Sequence, residues 1–437
     1  MLGAEQLLLY GNTRYTPLLT DLCTAADDKD PGAARACTRL AHALLAMAGE
    51  TGFYGNLLHV LLTRVLIESE NSYTLSAERR GRPEGTVNAF ALHDMEIFRS
   101  WFAVDLEHMV YRFGVREIGL LTDYRTDPAA GRVYGKEACR EICELARRLA
   151  KCPDAQSMLD EVTGFYERYG VGAYGLHRAF RLQVREERVE IVPVMRIADV
   201  RFDDLVGYES AKELLRNNTE AFLAGADANN CLLYGDAGTG KSTSVKALAN
   251  TYYEKGLRII EIYRHEYRYL NDVIGEIKNR NYRFLLYMDD LSFEEFETEY
   301  KYLKAIIEGG LEKKPDNVLI LATSNRRHLI RESFNDKRTL SDDDVHRNDT
   351  VQEKLSLYDR FGLAIYYGAP APAEYYRIVT TLAERAGLKI DRQELLELAN
   401  QWELKHAGYS GRTARQLVDD LVGRRILAGD PPKPADG

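Results

Sequence analysis

Apolar positions follow two different rhythms along the chain, and the change falls near residue 185. Before it they recur at spacings of three and four, the signature of helices with one buried face. Ala34 to Ala48 is alanine- and leucine-rich, and Gly49 follows as a stop. Leu57 to Ile67 is apolar almost throughout, which predicts a helix buried on several sides. Phe98 to Phe113, Ala138 to Leu149 and Ser157 to Tyr169 repeat the helical spacing, and Arg79 to Thr86 reads as a basic loop bearing glycine and proline. Residues 1–185 are therefore expected to form a mostly helical domain with a regulatory or partner-binding role. Within 184–195 the run Val-Glu-Ile-Val-Pro-Val alternates and then meets a proline, which suits a short edge strand or a linker, and a linker over 186–198 is expected.

Beyond residue 199 the rhythm shortens. Cys231 to Tyr234, Leu257 to Tyr263, Phe284 to Asp290, Asn317 to Ala322 and Leu363 to Tyr367 are compact apolar runs, separated by helical stretches. One of these stretches carries Phe293, Phe296, Tyr300, Leu303 and Ile307 at helical spacing. Five strands alternating with helices predict a five-stranded parallel sheet covered on both faces, an α/β core over 199–370. Glu374 to Ala386, Gln393 to Leu404 and Thr413 to Leu427 are helical again and predict a C-terminal helical lid over 371–428. Arg331 to Asp349 is charged and poor in apolar residues, as in a surface insertion or mobile loop, and the proline-rich tail over 429–437 is expected to be disordered.

Composition narrows the picture. A chain of 437 residues suggests two to four domains, and 45% hydrophobic content suffices for a core. A net charge of −9 argues against a wholly nucleic-acid-binding surface but leaves room for a local basic groove. Six cysteines in this length are not a disulfide framework, and Cys139, Cys143 and Cys152 have no histidine nearby to complete a zinc site. The N-terminus lacks the pattern of a secretory leader, and no apolar run approaches ~20 residues. A soluble, cytoplasmic protein without a membrane span is expected.

One stretch carries the chemistry. Gly235, Gly240, Lys241 and Ser242 fit G-x-x-x-x-G-K-[ST], with an apolar run before and a helical run after. In that context glycines turn backbone N–H groups onto phosphate oxygens, and the helix N-terminus adds partial positive charge. Gly235, Asp236, Ala237, Gly238, Thr239, Gly240, Lys241, Ser242 and Thr243 are thus candidates to hold the phosphates of ATP. Lys241 would reach the β- and γ-phosphates, and Ser242 would ligate Mg²⁺. Asp289 closes an apolar strand and is the second candidate metal ligand; Asp290 is the candidate to position the attacking water. A helix cap is the competing reading of the acid pair. Asn325, at another strand end, could orient the same water. Arg360 is a candidate arginine finger, reaching a neighbouring subunit's nucleotide, or else a structural ion pair. Arg412 and Arg415 open the last helix, and Arg415 is favoured over Arg412 as the lid's contact to the γ-phosphate. Two further motifs are weaker. Gly170, Gly172 and Gly175 make G-x-G-x-x-G, but a helix, not a strand, is expected before them. Tyr263 to Tyr269 interleaves bases with aromatics, which suits contact with single-stranded nucleic acid or the half-exposed face of a helix.

These motifs resemble an AAA+ ATPase module over about 199–428. Phe202-Asp-Asp-Leu-Val-Gly207 is similar to that superfamily's adenine-side entry segment, which implies base contacts by Val206 and Gly207. Gly235 to Ser242 matches Walker A, Asp289-Asp290 Walker B, Asn325 sensor 1, Arg360 the arginine finger and Arg415 sensor 2. More closely, Tyr-Met-Asp-Asp-Leu-Ser-Phe-Glu, Glu-Lys-Leu-Ser-Leu-Tyr-Asp-Arg-Phe-Gly-Leu and Gly-Arg-Thr-Ala-Arg-Gln resemble the domain of unknown function 815 family of bacterial ATP-binding proteins. The acid pair is also similar to that of the replication-initiator and helicase-loader branch. The resemblance implies a P-loop NTPase fold, ATP and Mg²⁺ as cofactors, hydrolysis to ADP and phosphate, and assembly into a homo-oligomeric ring or filament. An aromatic–apolar–glycine pore loop is missing after Leu257, which speaks against peptide threading. Asp290 stands where a glutamate is common and is about 1.5 Å shorter in reach, so slow hydrolysis is expected.

Overall fold

A computed structural model describes residues 3–27, 29–126, 134, 136–185, 188–195, 197–291, 303, 307, 315–325, 361–406 and 408–429. The chain divides into two compact units, residues 1–177 with 193–196 and residues 178–192 with 197–437.

The first unit is helical: α1 (Thr16–Ala26), α2 (Ala33–Thr51), α3 (Leu57–Glu68), α4 (Ser72–Arg80), α5 (Val87–Phe102), α6 (Leu106–Phe113), α7 (Lys136–Leu149), α8 (Ala155–Tyr169) and α9 (Gly172–Leu176). The nearly unbroken apolar run of α3 makes it a central element, with Leu57, Leu58, Val60, Leu61, Leu62, Val65, Leu66 and Ile67 all buried. Asn56 caps it by accepting from the N–H groups of Leu58 and His59, both at 3.1 Å. The single helix expected over Phe98 to Phe113 is two, because Asp105 accepts from the Glu107 N–H at 2.8 Å and competes locally with helix continuation. Cys139 and Cys143 are buried in the core, and no disulfide joins them. Gly170 ends α8 with φ 83° and Gly172 opens α9 with φ 68°, so the G-x-G-x-x-G stretch is a turn between helices without the strand a dinucleotide site needs.

The second unit is built on a seven-stranded sheet of β1 (Ala179–Arg185), β2 (Arg188–Pro193), β3 (Cys231–Gly235), β4 (Leu257–Glu261), β5 (Arg283–Met288), β6 (Val318–Ser324) and β7 (Leu363–Tyr367). Its order is β2-β1-β4-β5-β6-β3-β7, and the neighbours from β1 through to β7 pair in parallel. The expected sheet of five strands therefore gains two. They come from residues assigned above to the end of the helical domain and to a linker. β1 alternates buried Phe180 and Leu182 with exposed Arg181 and Gln183, a period of two that pairs it with β4. The expected boundary at 185 thus falls inside the sheet, and the break lies at 177–178. Pro193 closes β2 at the sheet's edge, where a missing N–H costs no ladder bond.

β3, β5 and β6 are buried along almost their whole length, which is why they read as continuous apolar runs. Helices α10 (Glu209–Leu223), α11 (Lys241–Tyr252) and α12 (Leu270–Ile277) connect the strands. Three C-terminal helices, α13 (Pro372–Arg385), α14 (Arg392–Lys405) and α15 (Gly411–Leu427), fall where the expected lid was drawn and share a core of Tyr375, Val379, Leu395, Ala399, Leu417 and Val418. Of the amphipathic helix expected after the acid pair, Leu303 and Ile307 are described, both helical and Leu303 buried. The charged stretch Arg331 to Asp349, Arg360 and residues 430–437 lie outside the described residues. Among the described residues no helix is long and apolar enough to cross a membrane.

In the first unit, the buried Asp94 carboxylate accepts from the backbone N–H groups of Leu8, Leu9 and Tyr10 at 2.9, 2.8 and 3.1 Å, tying the N-terminal segment to α5. Asp94→Ala orphans three donors at once and is expected to cost about 3 kcal/mol, read as a lowered midpoint of urea unfolding of the helical unit.

Candidate functional site

The site begins where β3 runs out. Gly235 has φ 132°, and a Cβ on it would lie 2.2 Å from the Tyr367 carbonyl oxygen of β7, so two backbones meet where only glycine fits. Asp236 N–H donates to that carbonyl at 3.0 Å, and the Asp236 carboxylate accepts from Ala369 N–H at 2.7 Å. The loop is thereby pinned to the strand beside it. Thr239 is buried and its hydroxyl donates to the Asp236 carbonyl at 2.7 Å. Gly238 and Gly240 both have positive φ, 77° and 97°, and α11 starts at once with Lys241. The result is a glycine bend feeding a helix N-terminus, whose unpaired N–H groups and dipole suit an anion. Lys241 is 6% exposed, and its Nζ donates to the carbonyls of Gly235 at 3.0 Å and Asp236 at 2.6 Å. Burial lowers its pKa, and the charges of Asp236, Asp290 and Asp289 work against that lowering.

The acid pair follows β5 directly. Ser242 Oγ donates to Asp289 Oδ1 at 3.0 Å, joined by the Tyr287 hydroxyl at 2.6 Å and the Thr323 hydroxyl at 2.5 Å. Burial opposes the charge on Asp289, but these donors and the Asp290 N–H hold its pKa below the usual carboxylate value. An O–H that donates to Asp289 leaves the Ser242 lone pairs for a metal. Hard oxygen donors of this kind fit Mg²⁺, which keeps most of its waters and binds one or two protein groups beside phosphate. Among the described residues no cluster of three or more His, Cys, Asp or Glu side chains could hold a metal by itself. Asp290 takes a left-handed conformation with φ 51°. Its N–H donates to Thr323 Oγ1 at 3.0 Å, and its carboxylate accepts from the Asn325 amide at 2.8 Å.

The segment Leu205 to Tyr208 lies between core and lid: Leu205 packs on the sheet core and Val206 on the lid core. Gly207 has φ 84°, and a Cβ there would lie 2.5 Å from Glu374 Oε1 of α13. The Tyr208 ring stacks on Tyr367 at 5.4 Å and 28°, and its hydroxyl donates to the Gly368 carbonyl at 3.1 Å. The N-terminus of α15 rests on the glycine bend. Arg412 N–H donates to the Gly238 carbonyl at 3.1 Å, and a Cβ on Gly238 would lie 2.9 Å from that of Arg412. Arg412 is near enough to Lys241 to help lower its pKa. Arg415 is exposed about one turn further along α15.

A family model described as a protein of unknown function, DUF815, matches residues 175–425, more than half of the chain. The chain belongs to the DUF815 family. The match starts just before β1 and ends within α15. No curated protein matches this DUF815 member. Among solved structures, the RuvB Holliday junction branch migration motor of Thermotoga maritima is similar over 53% of this chain and 68% of its own, at 14% identity and a TM-score of 0.37. A point variant of the same RuvB gives 53%, 69%, 16% and 0.38.

Of the residues expected at this DUF815 protein's site, Gly235 to Thr243, Asp289, Asp290, Asn325 and Arg412 lie at one rim of the sheet, with Val206 and Gly207 beside the lid. Arg360 is outside the described residues. Tyr208, Tyr287, Thr323 and Tyr367 went unrecognised as site residues. A signal existed for two of them: Tyr287 sits two residues before Asp289 and Thr323 two before Asn325, so each shares a strand face with a residue already singled out. Gly235→Ala drives a methyl into the Tyr367 carbonyl. It is expected to weaken ATP binding at least about tenfold, or 1.4 kcal/mol, with helix content intact, checked by titration calorimetry beside circular dichroism.

Proposed function

We propose that this DUF815 protein is an AAA+ ATPase that binds ATP with Mg²⁺ between its α/β core and helical lid and hydrolyses it to ADP and phosphate. The energy would remodel or switch a protein or nucleoprotein partner. One observation carries the reading: Lys241 and Ser242 after β3, Asp289 and Asp290 after β5, and Asn325 after β6 meet at the carboxyl ends of three neighbouring strands. Ligands of open α/β sheets bind beyond that edge.

In this reading the backbone N–H groups of the glycine bend cradle the phosphates, and Lys241 exchanges its carbonyl partners for β- and γ-phosphate oxygens. Ser242 and Asp289 would hold the metal, which would supply positive charge against the same oxygens. Asp290, with Asn325 on its carboxylate, orients a water in line with the γ-phosphorus. The water oxygen bonds to phosphorus as the bond to the bridging oxygen breaks, and the water's proton leaves by way of Asp290. The left-handed backbone and short side chain of Asp290 favour slow turnover. Arg415, with Arg412 as the alternative, would contact the γ-phosphate from α15; the Arg412 charge lies near enough to Lys241 to help lower its pKa, which supports the alternative. Arg360 would serve a neighbouring copy, in a homo-oligomeric ring or filament.

A second reading is a slow ATP-gated switch or scaffold that assembles on DNA without significant turnover. The segment after β4 favours it. Tyr263, Arg264, His265 and Arg268 are exposed while Glu266 and Tyr267 are buried, and the Tyr263 and His265 rings lie within 3° of parallel. Stimulation of phosphate release by single-stranded DNA supports this reading; indifference supports the first. In either case Lys241→Ala should abolish ATP binding. Asp290→Asn should lower single-turnover phosphate release at least about 100-fold while ATP binding persists. Arg360→Ala should lower release only where copies can assemble, read as a loss of the concentration dependence of turnover.

A further inference from the structure

Two buried hydroxyl side chains beside the acid pair have no part in the reading above. Thr323 is 2% exposed and Tyr287 7%. Three consecutive residues after β5 fold around Thr323. Its hydroxyl donates to Asp289 Oδ1 at 2.5 Å and accepts from Asp290 N–H at 3.0 Å, and its carbonyl accepts from Leu291 N–H at 2.7 Å. A threonine hydroxyl has one proton to give and lone pairs to receive, so it can serve an acid and an amide at once. Tyr287 reaches the same Oδ1 at 2.6 Å from its own strand. Burial and then its bond to Asp289 raise the phenol's pKa, so it stays a donor. With Ser242, three side-chain donors converge on Oδ1.

We propose that Thr323, assisted by Tyr287, is the positioning residue for the acid pair: it turns Asp289 so that one oxygen is saturated by protein donors and the other is presented to the metal, and it holds Asp290 in the left-handed turn that aims its carboxylate at Asn325. The inference rests on the ATPase reading and deepens it. Partners of metal ligands orient those ligands and tune their affinity. A left-handed backbone at a non-glycine residue persists only where its surroundings enforce it. The clamp on Asp290 N–H and Leu291 N–H supplies that enforcement. The strand ladder fixes the clamp in turn, since Met288 pairs with Ala322 in the β5–β6 register.

The test is the magnesium dependence of binding of a fluorescent ATP analogue by the full chain, read against binding in EDTA. Thr323→Val keeps the shape and removes the hydroxyl. It is expected to raise the half-saturating magnesium concentration about 10- to 100-fold while binding in EDTA changes less than about twofold. Thr323→Ser, which restores the hydroxyl, should return most of the loss. Tyr287→Phe should shift the magnesium dependence in the same direction by a smaller factor, and it decides the matter if Thr323→Val does not fold. Unchanged magnesium dependence in Thr323→Val and Tyr287→Phe would overturn the inference. So would equal losses with and without magnesium, or a serine variant no better than valine, each of which marks packing as the role. A parent protein that binds the analogue in EDTA but gains nothing from magnesium would remove the ATPase reading itself.

Discussion

The register of three strands decides whether this molecule has a site at all. β6 lies between β3 and β5, so the glycine bend and the acid pair belong to strands that do not touch. They meet only because Leu232, Ala322 and Met288 lie in one row across the sheet. From that row the chain climbs two residues to Asp290 beyond β5, and three to Gly235 at the end of β3 and Asn325 beyond β6. A slip of one residue in either pairing would turn the acids to the opposite face. The apolar runs that bury these strands are thus also what brings Ser242 Oγ to within 3.0 Å of Asp289. Core packing and site geometry here are one constraint.

The glycines show how tightly that constraint is drawn. Gly235 is demanded by the Tyr367 backbone, Gly238 by the N-terminus of α15, and Gly207 by Glu374 of α13. Only the first of these contacts is internal to the sheet; the other two are made with the lid. Gly238 is the glycine of the bend that faces Arg412 and Ser410 at the start of α15, so the bend cannot shift there without disturbing that helix. Tyr367 ties the two sides together: its ring stacks under Tyr208, its carbonyl takes the Asp236 N–H, and its hydroxyl bonds Ser244 of α11 at 3.0 Å. Burial pushes its phenol up to about 12, so it remains a neutral strut.

Much of this was legible beforehand because the signals are local. The glycine bend, the acids at strand ends and Asn325 each follow an apolar run by a fixed offset, and three- and four-residue spacing marked the lid helices within a few positions. What escaped notice depends on partners distant in the chain. β1 is short, carries Arg181 and Gln183 on one face, and becomes a strand only through β4, some eighty residues later. Thr323 and Tyr287 look like ordinary strand residues until the register sets both on one carboxylate oxygen. Which residue of α15 meets Gly238 is set by helix phase and by how α15 docks, and it is the Arg412 N–H that makes this bond. In the first unit the helical spacing was clear, but Asp94, with three backbone partners more than eighty residues away, carried no local mark.

The central claim is that a triphosphate is gripped where β3 spills into the glycine bend, with metal shared between Ser242 and the acid closing β5. The most direct measurement is a crystal structure with a non-hydrolysable ATP analogue and Mg²⁺. The account predicts Lys241 Nζ drawn from the Gly235 and Asp236 carbonyls onto phosphate oxygens, with a metal ion held at Ser242 and Asp289. Nucleotide bound elsewhere, with Nζ still on those two carbonyls and no metal beside Asp289, would contradict it.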